Sequence, residues 1–226
     1  MKNREDFFFR QIMEETILMV LAGTSPSIEL LSWRMEEADY SIAVDGGFLS
    51  FRQADLLPNL LIGDLDSLSE TELESIKYAG FQVQQISDQH TTDFEKALNW
   101  VSQNLKTKHL IVLGGLGKRS DHMITNLLVA SVADKSIEIT FDDDREWIRR
   151  VTEICPLKLH GRKNANLSIL PFKKCEGVRT KGLEWNLMGE TIGGDKIVGQ
   201  SNVCRSDTVE VACDSGSLFV FVEKGA

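Results

Sequence analysis

The chain has 226 residues, 42% hydrophobic and 26% charged, a composition that supports a substantial buried core and is unlike that of disordered sequences. A formal net charge of -9 argues against nonspecific nucleic-acid binding, which needs clustered Lys and Arg, although a local metal ion still recruits phosphorylated substrates to an acidic surface. No apolar run reaches the ~20 residues that span a bilayer, so no membrane association is expected.

Residues 1–10, with Glu5, Asp6 and the trio Phe7, Phe8 and Phe9, lack the basic start and long apolar centre of an export signal. An amphipathic helix is expected there instead. From residue 16 onward, short β-rich runs at 16–22, 40–44, 60–62, 82–86, 109–113 and 137–141 alternate with helical patterns at 27–38, 69–79, 93–105 and 121–133. Most of the strand runs are apolar throughout, as in a parallel sheet covered on both faces. In the helix at 93–105, Phe94, Ala97, Leu98 and Val101 recur at helical spacing and predict a buried stripe.

After Asp142, Asp143 and Asp144, expected to form a solvated turn, short alternating segments separated by glycines predict a small all-β domain. The fold class expected is α/β: an N-terminal Rossmann-like parallel-sheet domain over 1–145, followed by a smaller C-terminal all-β sandwich over 146–226. The cysteines Cys155, Cys175, Cys204 and Cys213 show neither C-x-x-C spacing nor nearby His pairs, which predicts reduced thiols in a cytoplasmic protein and no zinc site.

Ligands of open parallel sheets bind beyond the carboxyl ends of the strands, and four such places carry suggestive residues. Asp45 ends a strand before Gly46 and Gly47, which permit close approach of a ligand, although an Asp-Gly-Gly turn also stands without function. Asp64 and Asp66, two residues apart beyond an apolar strand, repel each other unless a divalent cation joins them; Asp66 or Ser67 also serves as a helix cap, with Asp64 then solvated. Asp93 falls in the first turn of a helix that Thr91 or Thr92 caps, where the dipole alone favours an acid. The run Gly114-Gly115-Leu116-Gly117-Lys118-Arg119 before a helix suits a polyphosphate, yet it matches neither the Walker A loop nor G-x-G-x-x-G. Together these loops offer oxygen ligands for Mg²⁺ and cations for phosphates on one edge of one sheet.

Asp-Gly-Gly at 45–47, Gly-Asp-Leu-Asp-Ser at 63–67, Thr-Asp-Phe-Glu-Lys-Ala at 92–97 and Gly-Lys-Arg-Ser-Asp-His at 117–122, in this order, resemble the motifs of the thiamine pyrophosphokinase family. Gly-Leu-Glu-Trp-Asn-Leu at 182–187 and Ser201-Asn202 extend the resemblance into the C-terminal half. The resemblance implies a homodimer that transfers the pyrophosphoryl group of ATP to thiamine, giving thiamine diphosphate and AMP. It implies Asp45, Asp64, Asp66 and Asp93 as the catalytic carboxylates, with Asp64, Asp66 and Asp93 as Mg²⁺ ligands. Gln89 and Arg119 would then hold nucleotide or phosphate, and Asp121 would support the loop. Trp185, Ser201 and Asn202 would form the thiamine end, which in the family lies across the dimer interface; the thiazolium would rest on the indole face. Read by burial statistics alone, Trp185 is equally a core aromatic. Rival readings are a pterin pyrophosphokinase of the same design, a noncatalytic nucleotide-binding regulator, and a scaffold whose acids merely cap helices.

Overall fold

Runs such as Tyr40–Val44 and His109–Leu113 can satisfy both burial and backbone hydrogen bonding only inside a sheet, and the structure places them there. The structure, a computed structural model, describes residues 16–65, 80–86, 88, 90–194 and 199–224. The helices expected at 1–10 and 69–79, and the site candidates Asp66 and Gln89, lie outside the described residues. The fold is mixed α/β, and its contacts divide it into units of residues 1–126 and 127–226.

In the first unit the elements run β1 (Thr16–Val20), α1 (Ile28–Glu37), β2 (Tyr40–Val44), α2 (Phe48–Gln53), β3 (Leu60–Gly63), β4 (Gln82–Gln85), α3 (Asp93–Asn104) and β5 (His109–Leu113). The five strands are parallel in the order β5-β1-β2-β3-β4, with Leu18 opposite both Ile111 and Ser41. Nearly every residue of β1, β2, β3 and β5 is buried, whereas the polar β4 forms the edge. Ser27 caps α1 by accepting from the Leu30 N–H at 3.2 Å, and Thr92 caps α3 by accepting from the Glu95 N–H at 3.2 Å. Phe94, Ala97, Leu98 and Val101 form the buried stripe expected of α3. The six-residue α2, which buries Phe48 and Phe51, escapes periodicity analysis because it makes fewer than two turns.

The next helix, α4 (Ser120–Val132), contains the boundary between the units. Beyond it come β6 (Glu138–Asp142), β7 (Glu146–Thr152), β8 (Leu157–His160), β9 (Asn166–Pro171), β10 (Cys175–Lys181), β11 (Met188–Ile192), β12 (Gly199–Val203), β13 (Thr208–Ala212) and β14 (Ser217–Glu223). They pair in the orders β12-β9-β14-β7-β6 and β11-β10-β13-β8, with antiparallel registers at every one of these pairs. Leu167, Ile169, Val178, Val209, Val211 and Val220 are central to their shared core. The run at 137–141 falls on β6 and forms an antiparallel hairpin with β7, in which Phe141 faces Ile148.

The acidic cluster also departs from expectation. Asp143 does close the hairpin turn, accepting from the Arg145 and Glu146 N–H groups at 2.8 and 2.9 Å. Asp142, however, is 0% exposed rather than solvated, and the Lys224 ammonium stands 2.6 Å from its carboxylate. A buried carboxylate requires such a partner. Arg150 is likewise buried, and its guanidinium donates to the Ala130, Ala133, Asp134 and Ile137 carbonyls at 2.5–2.9 Å, satisfying the end of α4. Burial pushes its pKa down to about 10, which leaves it protonated at neutral pH. All four cysteines are free thiols, and among the described residues no helix is long and apolar enough to cross a membrane.

Candidate active site

The chain leaves β1 toward β2 on one side and returns to β5 on the other, so the β1 and β5 ends form the switch point of the parallel sheet. The loops there touch backbone to backbone. The Gly23 N–H donates to Gly114 O at 2.8 Å and the Thr24 N–H to Leu116 O at 3.0 Å. A Cβ at Gly23 would stand 2.2 Å from Gly114 O, and one at Gly114 would stand 2.2 Å from Leu21 O. Only glycine permits two loops to pack this closely backbone to backbone.

A cavity of about 580 Å³ opens at this edge within the first unit, lined by residues from every strand-end loop. Asp45 follows β2, Asp64 follows β3, Asp93 opens α3, and Arg119 and Asp121 follow β5; all five line the cavity. Gly63 brings two of these loops together, since a Cβ there would meet Asp45 Cβ at 3.1 Å. Asp45 and Lys118 hold left-handed backbone angles, φ 45° and 52°, unusual for residues with side chains and common where a site is held in a fixed shape.

The cations of the cavity each have a resident partner. Arg119 forms a fork on Asp121, Nε to Oδ1 at 3.1 Å and one terminal nitrogen to Oδ2 at 2.6 Å, on the protein surface. That hydrogen bond, with the charge behind it, lowers the Asp121 pKa and raises that of Arg119. Lys118 Nζ donates to Ala22 O at 2.9 Å, tying the β5 loop to the β1 loop. Lys96, buried on α3, donates to Asp93 Oδ1 at 2.9 Å. Asp88 accepts from the Thr91 hydroxyl and from the His90 N–H, which lowers its pKa and fixes the loop that delivers Asp93.

Mg²⁺ suits this donor set, because the acids are hard oxygen ligands and Mg²⁺ completes its shell with water and substrate phosphates. Among the described residues no three His, Cys, Asp or Glu side chains form a complete ligand cluster. Asp64 and Asp93 are the candidates that share a field on Lys96, which senses both. Lys96, Asp88 and the β1 loop are the cavity residues that sequence reasoning missed. Lys96 stands inside the Thr-Asp-Phe-Glu-Lys-Ala run without a role of its own there, and the Ala22-Gly23 turn behind an apolar strand signalled the β1 loop.

The remaining candidates lie in the second unit. Trp185 is 64% exposed, which rules out the core-aromatic reading. It sits on a turn held from both sides: Asn186 bridges the Leu183 N–H and C=O at 3.1 and 3.0 Å, and the Leu187 N–H donates to Thr180 Oγ1 at 2.8 Å. Asn202 is 7% exposed and spends its carboxamide on the backbone of Trp185, accepting from N–H at 3.2 Å and donating to C=O at 2.7 Å. Ser201, exposed beside it, has φ 60° and donates its N–H to Ser168 Oγ at 2.9 Å. Trp185, Ser201 and Asn202 are thus neighbours across β12 and its facing turn, with the indole outward and Asn202 behind it.

Comparison with known proteins agrees with both halves. Residues 32–141 match the family described as "Thiamin pyrophosphokinase, catalytic domain", and residues 152–218 match "Thiamin pyrophosphokinase, vitamin B1 binding domain". The Bacillus subtilis thiamine pyrophosphokinase is 30% identical over 167 residues, covering 71% of this chain and 75% of that one. Thiamine pyrophosphokinase 1 of Oryza sativa subsp. japonica is 25% identical over 171 residues, or 72% of this chain. The chain spans 65% of that relative's length. A crystal structure of the B. subtilis thiamine pyrophosphokinase superposes with a TM-score of 0.77 at 21% identity, over 94% of this chain and all of the other, a likeness of fold.

Proposed function

The chain belongs to the thiamine pyrophosphokinase family, and from that premise we propose that it is an enzyme that transfers the pyrophosphoryl group of ATP to the hydroxyl of thiamine, releasing AMP. The observation that carries this reading is the cavity at the switch point, where Asp45, Asp64 and Asp93 face the same space as Lys118 and Arg119. Phosphoryl-type transfer asks mainly for positioning and charge neutralisation, and a set of acids with a basic glycine loop supplies both.

In this reading the oxygen of the thiamine hydroxyl bonds to the β-phosphorus of ATP as the bond from that phosphorus to the α-bridging oxygen breaks, and AMP leaves with that oxygen. One of the cavity carboxylates takes the hydroxyl proton. Mg²⁺, held by Asp64, Asp66 and Asp93, would supply neutralisation of the polyphosphate charge. Arg119, released from Asp121, and Gln89 hold phosphate oxygens, while Asp121 keeps the guanidinium placed until nucleotide arrives. Trp185 offers its exposed indole to the thiazolium, a cation–π contact worth about 0.5–2 kcal/mol, with Ser201 beside it and Asn202 fixing the turn.

The finer architecture belongs to the same proposal: a Rossmann-like catalytic domain over 1–145 and a β-sandwich over 146–226 that binds thiamine and dimerises, in a cytoplasmic homodimer. A panel of acceptors tests the assignment. With Mg-ATP, thiamine should be consumed with release of AMP, and a hydroxymethyl pterin should not. Consumption of the pterin, with thiamine inert, would overturn it. Asp64→Asn and Asp66→Asn should lose most activity while keeping the fold.

A further inference from the structure

Lys96 is unlike the other cations of the cavity. Lys118 and Arg119 are exposed, whereas Lys96 is 6% exposed and its stem lies among the buried residues of α3. Desolvating an ammonium is costly unless a counter-charge is provided. Here Asp93, one helical turn earlier, provides it at 2.9 Å, and the fields of Asp64 and Asp88 reach the same nitrogen. Lys96 therefore neutralises an acid that the proposed reaction needs for its metal.

We propose that Lys96 is the built-in counter-ion of the metal site, holding Asp93 until nucleotide arrives and so keeping the affinity of the nucleotide-free protein for a divalent cation low. A unit positive charge close to the place of a doubly charged cation opposes its binding strongly at the effective dielectric of a protein cavity. A cation arriving with a polyphosphate meets no such barrier, because phosphate oxygens offer the ammonium a new partner as Asp93 is taken. The flexible four-carbon stem of lysine suits this exchange of partners, which a planar guanidinium would resist. The consequence is ordered use of the site, with metal entering as the metal–nucleotide complex. This rests on the reading of Asp64 and Asp93 as metal ligands.

The test is calorimetric titration of Mn²⁺ into the full chain without nucleotide, using wild type, Lys96→Met, Lys96→Gln and Asp64→Asn. Lys96→Met should tighten Mn²⁺ binding about tenfold, with Lys96→Gln following it should the apolar variant fail to fold. Asp64→Asn should weaken binding, and both Lys96 variants should bind the Mn²⁺–ATP complex more weakly than wild type. Lys96 variants that bind Mn²⁺ no more tightly than wild type, while Asp64→Asn weakens it, would overturn the counter-ion role and leave the metal site standing. Unchanged Mn²⁺ binding in Asp64→Asn would overturn the metal site and this role with it.

Discussion

Asn202 grips Trp185 by both backbone groups, accepting from its N–H at 3.2 Å and donating to its C=O at 2.7 Å across 17 positions of sequence. The carboxamide is thereby consumed in positioning, so in the proposed reading Asn202 would serve thiamine through the indole rather than by direct contact. Asn202→Ala should raise the KM for thiamine about tenfold and lower kcat much less, since the lost contact is one of ground-state placement. Steady-state kinetics with ATP saturating check this. An unchanged KM for thiamine in a folded variant would mean that Trp185 needs no clamp.

Arg119 and Asp121 form a fork that only a guanidinium can make. Arg119→Lys is expected to raise the KM for ATP nearly as much as Arg119→Ala does, by about an order of magnitude. Because both side chains are exposed, neither variant should shift the melting temperature appreciably. Full rescue by lysine would show that charge alone is required.

Gly23 answers to space rather than to backbone angle. Its Cβ would strike Gly114 O at 2.2 Å and Leu116 O at 2.8 Å, so Gly23→Ala must push the β1 and β5 loops apart. The expected cost is about 2–4 kcal/mol of stability with loss of nucleotide binding. Gly161→Ala is the control: its φ of 69° strains the backbone, but nothing lies within 4 Å of the added carbon. It should cost about 1 kcal/mol and leave nucleotide binding alone. Urea midpoints of the two variants distinguish collision from strain.

Glu146 faces Glu223 across the β7–β14 pair and lies beside Asp143. Burial, then these two charges, raise its pKa above the usual 4.5. A raised carboxyl pKa means that the native state binds the proton more tightly than the unfolded chain, so stability falls as pH rises through this window. Glu146→Gln should accordingly stabilise the protein at pH 7 by about 0.5–1 kcal/mol, with the difference fading as pH drops below the unfolded value near 4.5. A gain that persisted at pH 3.5 would assign the effect to something other than charge.

How much of this was legible beforehand depends on the reach of each interaction. The strands Tyr40–Val44 and His109–Leu113 are readable to the residue because uninterrupted apolar runs end in turn residues. Asp45, Asp64, Asp93 and Arg119 are readable as a group because a parallel sheet places every strand-end loop on one edge. Lys96 is not, because in sequence it looks like an ordinary solvated partner of Asp93, and its burial comes from tertiary packing. The roles of Asn202 and Asp142 depend on partners 17 and 82 positions away, Trp185 and Lys224, which no local pattern encodes. The hairpin of Glu138–Asp142 with Glu146–Thr152 is not readable from the strand itself, because its composition suits either parallel or antiparallel pairing.

The central claim, transfer of two phosphates in one step, is tested by supplying ATP labelled at both the β and γ phosphorus with thiamine and Mg²⁺ and following both products. The account predicts AMP in equal amount to thiamine diphosphate that carries both labels, with no thiamine monophosphate at any time. ADP accumulating with singly labelled thiamine monophosphate would contradict it.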